Sequence, residues 1–130
     1  MSAFVDTSRV PVSAQGEISH DAVTPDIDVM YIRRKMDFGT TQRVQSAAVK
    51  LSAGVEQNSE ANAQIDVGSW KLALAQYNIL DWSGPSFAGR ACTPKNIALL
   101  DPKFPVLEQA LKSIGERNKL EGESESDPNA

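Results

Sequence analysis

Ser83-Gly84-Pro85 is the hardest stop in this sequence, and the apolar pattern it closes sets the centre of the expected fold. Upstream of it, apolar residues fall in two helical stripes. One is Trp70, Ala73, Leu74 and Tyr77; the other is Leu72, Ala75, Ile79 and Trp82. Two stripes mean burial around much of the circumference, so the spacing predicts a central helix that starts near Asp66 or Ser69 and runs to Trp82. It ends there because Pro85 has no backbone N–H and Gly84 tolerates a left-handed turn.

The neighbouring elements are read from local signals. Thr93-Pro94 is an N-cap followed by proline at the first helical position; Ile97 and Leu100 supply the apolar side of that short helix, and Asp101-Pro102 ends it. Pro105 starts a last helix in the same way, with Leu107, Ala110, Leu111 and Ile114 as its stripe. Upstream, Asp37 to Thr41 offer N-cap oxygens to a helix striped by Val44, Ala47, Ala48 and Leu51, with Gly54 as its C-cap. Asp28–Met36 is the best strand, β-branched and aromatic in its first half. It is expected to pair with an upstream extended piece at Phe4-Val5 or Val10–Val12. Phe87–Cys92 reads as another short extended segment, and residues 55–64 as a polar linker.

These elements predict a mainly α, α+β protein with a small N-terminal β element. Residues 1–27 form a flexible arm, extended or loop. Residues 28–118 form a compact domain of about four helices with one or two short strands, and residues 119–130 a disordered acidic tail. At 130 residues the chain is long enough to bury one core. The formal net charge is −4, and Glu121, Glu123, Glu125 and Asp127 account for all of it. A neutral body with an acidic tail lacks the positive field that general nucleic-acid binding needs. The single cysteine, Cys92, excludes an intrachain disulfide. No apolar run is long enough for a membrane span, and the first residues lack the pattern of a secretory leader. A soluble, cytosolic protein is expected.

Chemistry-bearing residues are sparse. His20, the only histidine, falls in the polar N-terminal stretch and is expected in a solvent-exposed loop, where a general base has no fixed geometry. Cys92 is expected to pack as a small apolar residue. One Cys and one His do not make the usual four-ligand zinc site. The Gly84–Gly89 loop lacks the spacing of a phosphate cradle. Asp81, Asp101 and Glu108 read as helix-end acids rather than paired catalytic carboxylates. Arg33-Arg34-Lys35, after Tyr31, is the only basic run, and solvation at a strand end outweighs a nucleic-acid patch. No enzyme activity, cofactor or metal is expected. The best interaction feature is the aromatic loop, where Trp82, Pro85 and Phe87 are either a knob for a partner or a flap over the central helix; packing is the stronger reading.

The order of features from Tyr31 to Asn118 resembles the tail assembly chaperones of long-tailed, siphovirus-type bacteriophages. The residues that carry the resemblance are Met36-Asp37-Phe38-Gly39, Tyr77 through Pro85, Phe87-Ala88-Gly89, Thr93 through Asp101, and the helix from Pro105 to Asn118. They span about two-thirds of the chain and are loop and helix-start signals, not catalytic signatures. The resemblance implies a small, mainly helical, non-enzymatic protein of the host cytoplasm. Such proteins coat the tape measure protein and help recruit tail tube subunits, and many occur in a short and a longer frameshifted form. Self-association is compatible with it; nucleic acid and membrane are not implied as partners. The competing readings are a virion component, such as a small head–tail connector or tail terminator protein, and an unrelated small protein-interaction domain.

Overall fold

The computed structural model describes residues 2–55 and 67–119. Among them are four antiparallel strands, β1 (Arg9–Ser13), β2 (Gly16–Glu17), β3 (Val29–Arg33) and β4 (Ile79–Ser83), in the order β2-β1-β3-β4. Four helices accompany them: α1 (Phe38–Val55), α2 (Val67–Asn78), α3 (Pro94–Ala98) and α4 (Pro105–Asn118). The protein is α+β. The sheet is larger than the expected small N-terminal element, and one of its strands follows α2.

That strand corrects the central-helix expectation. The helix stops at Asn78, and Ile79–Ser83 pairs with β3 instead of adding a further turn. Side chains end the helix before Gly84 and Pro85 are reached. Arg33 donates from Nε to the Tyr77 carbonyl at 2.7 Å, and Asn78 donates from Nδ2 to the Leu74 carbonyl at 2.9 Å. Carbonyls of the last turn are therefore satisfied without a continuing ladder. The β3–β4 register opposes Met30 to Trp82 and Ile32 to Ile79, with a slip between Tyr31 and Ile32. Ile79 and Trp82 are three apart, an odd spacing that simple alternation sends to opposite faces. The slip brings both into the core with Met30 and Ile32.

The expected arm is corrected in part as well. Arg9–Ser13 is an interior strand paired with β3 from Arg9 to Val12, and Val10 and Val12 are buried. Pro11 is tolerated in it because β2 runs alongside only Val12 and Ser13. Phe4, by contrast, is exposed and joins no strand. Phe87–Cys92 adds no strand either. The 55–64 linker lies beyond Val55 outside the described residues, and so does the 119–130 tail beyond Lys119.

The helix starts follow the local signals. Asp37 accepts from the Thr40 backbone N–H at 2.7 Å, and α1 buries Thr40, Val44, Ala48 and Ser52 at every fourth position. It runs through Gly54 to Val55. Thr93 accepts from the Asn96 N–H at 3.1 Å and Pro94 opens α3. Pro105 opens α4, which buries Val106, Leu107, Ala110 and Ile114 against β1, β2 and β3. α2 packs between α1 on one side and α3 and α4 on the other. Glu17 pins α4 to the sheet: Arg117 donates to both of its carboxylate oxygens, at 2.7 and 2.8 Å, and the Ser113 hydroxyl donates to one of them.

Candidate functional site

Trp82, Pro85 and Phe87, the residues named above as a partner knob, do not stand together on the surface. Trp82 is 8% exposed and Phe87 5%. Their rings stack with centroids 4.5 Å apart and planes at 10°, and Phe104 meets Phe87 edge-on at 5.6 Å. The Trp82 indole N–H donates to the Arg90 carbonyl at 2.7 Å, which satisfies its polar end. Pro85 alone of the three is exposed. The turn holding this stack is fixed by Gly84, at φ +127°, where a Cβ would come within 2.6 Å of the Asp28 backbone. Asp28 then accepts from both the backbone N–H and the hydroxyl of Ser86.

The residues weighed for chemistry are dispersed. His20 is exposed, sits over Tyr31 and lies 3.2 Å from the Arg9 carbonyl. Cys92 is half-buried against the core, and burial pushes its thiol up to about 11, with the charge of Asp81 adding to the effect. That is the reverse of what a thiolate nucleophile needs. Asp81 lies 3.8 Å from Arg9, and Asp101 accepts from the Lys103 backbone N–H. Of the basic run, Arg33 caps α2 and Arg34 donates to Ser8 beside Asp6, which leaves Lys35 exposed. No group of three His, Cys, Asp or Glu side chains converges among the described residues. No described helix is long and apolar enough to cross a membrane.

The concave apolar feature lies elsewhere. α2, α3 and α4 enclose an open groove of about 800 Å³. Its floor and walls are apolar: Trp70 and Leu74 of α2, Ile97 of α3, Leu107 and Leu111 of α4, with Leu100 after α3. Lys71, Glu108 and Lys112 stand on its rim. Leu74, Ile97 and Leu107 are buried, whereas Trp70, Leu100 and Leu111 are half-buried. The groove is therefore continuous with the core and leaves its upper side chains wet.

Local signals place these side chains together. The Thr93-Pro94 cap and the Pro105 start set α3 and α4 as separate short helices that flank α2. The groove was foreshadowed by the two-stripe pattern of α2, since a helix apolar on two sides needs a second covering. What the arrangement offers is an apolar trough with a few rim charges, the shape that accepts an amphipathic helix or a small apolar ligand. No family model, no curated protein and no solved structure matches the chain.

Proposed function

We propose that this protein is a non-enzymatic tail assembly chaperone of a long-tailed bacteriophage. It acts in the host cytoplasm, holds a helix of the tape measure protein in the α2–α3–α4 groove and helps recruit tail tube subunits. The observation that carries the reading is the groove itself, an open apolar trough of about 800 Å³ rimmed by Lys71, Glu108 and Lys112. An α-helix with its side chains is about 10 Å across, and one apolar face of it matches such a trough. The resemblance supports the same surface. Two of the segments that carry it, Thr93–Asp101 and Pro105–Asn118, become α3 and α4, two of the groove's three walls.

The test is co-expression with the tape measure and tail tube proteins of the same virus. Wild type should co-purify with the tape measure protein, and Leu111→Glu should lose it, because a carboxylate placed in the trough loses its hydration. Failure of the wild type to hold either protein would sink the proposal. A stoichiometric place in purified particles would replace it with a virion role, as a connector or tail terminator.

A further inference from the structure

A second, shallower furrow of about 360 Å³ runs along α1. It is lined by Gln42, Arg43, Ser46, Ala47 and Lys50, and by Tyr77 of α2. Arg33 stands at its edge, bonded to the Tyr77 carbonyl. Arg43 and Lys50 are exposed, and neither is in an ion pair among the described residues. The carboxylate that feels this cluster is Asp37. Hydrogen bonds from Thr40 hold its pKa down, and the charges of Arg33 and Arg43 add to that. Asp37 is already committed to the N-terminus of α1 through the Thr40 N–H. Arg33 and Arg43 thus share one carboxylate that has other work, and Lys50 has no ion-pair partner among the described residues.

The end of α4 is anchored at the same place. Asn118 accepts from the Met36 backbone N–H at 2.9 Å, one residue before Asp37. The chain therefore leaves α4 beside the first turn of α1, and the residues that follow carry Glu121, Glu123, Glu125 and Asp127. Acids at alternate positions project to one side of an extended chain. At roughly 3.3 Å per residue such a chain travels about 20 Å from Lys119 to Glu125. Lys50 lies about 20 Å along α1 from Asp37, at roughly 1.5 Å per residue. The reach of the chain from Lys119 to Glu125 thus matches the distance from the start of α1 to Lys50, at the far end of the furrow.

We propose that this furrow is an acidic-peptide site whose occupant is the chain's own Glu121–Asp127 segment, laid extended along Arg43 and Lys50. The contact is a screened surface one, so each ion pair contributes little. A short tether supplies the effective concentration that makes several weak pairs count together. It is independent of the α2–α3–α4 groove, with which the furrow shares no lining residue.

The test uses the full chain and the variant E121Q/E123Q/E125Q/D127N, whose changes lie outside the described residues. Backbone amide NMR spectra should differ at Arg43, Ala47, Lys50 and Tyr77, and the differences should vanish in high salt. Zero-length carbodiimide coupling should join the acidic segment to Lys50 in the wild type at low salt, and the product should be lost in high salt. Shifts confined to residues 116–119 would overturn the proposal, as would coupling to Lys71 or Lys112. Shifts that grow with protein concentration would also overturn it, because they assign the acidic segment to a second copy.

Discussion

The two tryptophans stand at either end of one apolar sequence pattern and come to opposite situations. Trp82 lies in β4 with its ring against Phe87, its indole N–H bonded to Arg90 and almost no surface left. Trp70 lies in α2, half-buried, on the wall of an open groove. The first is finished: every part of it has a partner inside the chain. The second has an apolar ring without full cover. An aromatic residue in a Gly/Pro loop is thus not a contact residue by virtue of the loop, and one in a regular helix is not core by virtue of the helix. What separates them is whether a second layer of the fold closes over the ring.

The largest expected effect breaks the Trp82 side. Trp82→Ala removes a buried ring stacked on Phe87 and should cost about 3–5 kcal/mol in urea unfolding. A loss under about 1 kcal/mol would show that the stack is peripheral to the core. Gly84→Ala attacks the turn that sets the stack. A Cβ there meets the Asp28 backbone at 2.6 Å with φ at +127°, so backbone must move. A loss of about 2 kcal/mol is expected, in the range of a strained left-handed site with a clash; a stability equal to wild type would show that the Asp28 segment yields freely.

How much of this contrast was legible in the sequence follows from which interactions are local. The starts of α1, α3 and α4 were legible because Asp37, Thr93-Pro94 and Pro105 act within one turn of their own chain. β3 was legible from its β-branched run; its partner was legible only as one of two pieces, Phe4-Val5 or Val10–Val12, and the structure uses the second. β4 was not. Ile79 and Trp82 fit a helical stripe as well as a bulged strand, and the choice is made by Arg33 and β3, more than forty residues away. The groove was half legible. Leu107 and Leu111 are one turn apart on α4 and plainly share a face, but nothing local says that α3 and α4 leave Trp70 partly uncovered.

A smaller effect sharpens the Trp70 side. Trp70→Ala removes a ring that is already partly wet, so its stability cost should stay below about 2 kcal/mol, less than that of Trp82→Ala. Single-tryptophan variants make the contrast visible by fluorescence. With Trp82→Phe, the remaining Trp70 should emit to the red and be quenched readily by acrylamide. With Trp70→Phe, the remaining Trp82 should emit to the blue and resist quenching. Equal quenching of the two would erase the distinction between a closed stack and an open groove wall.

The smallest expected effect tests how α4, which carries Leu107 and Leu111 into the groove, is fastened to the sheet. Glu17 is held below its ordinary value of 4.5, first by the hydrogen bonds from Arg117 and then by Ser113, against the opposing effect of partial burial. A carboxylate with a depressed folded pKa contributes stability that is fully present above its unfolded value and is lost as pH falls through the folded one. Arg117 stays charged throughout, since the same pairing raises its pKa. Stability in urea should therefore be level above pH 5 or so and decline through the acid range below 4.5. Glu17→Gln should flatten the part of that decline owed to this pair. The pair is partly exposed, with side-chain accessibilities of 25% and 37%, so screening limits its worth and salt should shrink it further. An acid decline unchanged in Glu17→Gln would assign it to other carboxylates, of which Asp37 at the start of α1 is the first to examine, because Thr40 holds its pKa down in the same direction.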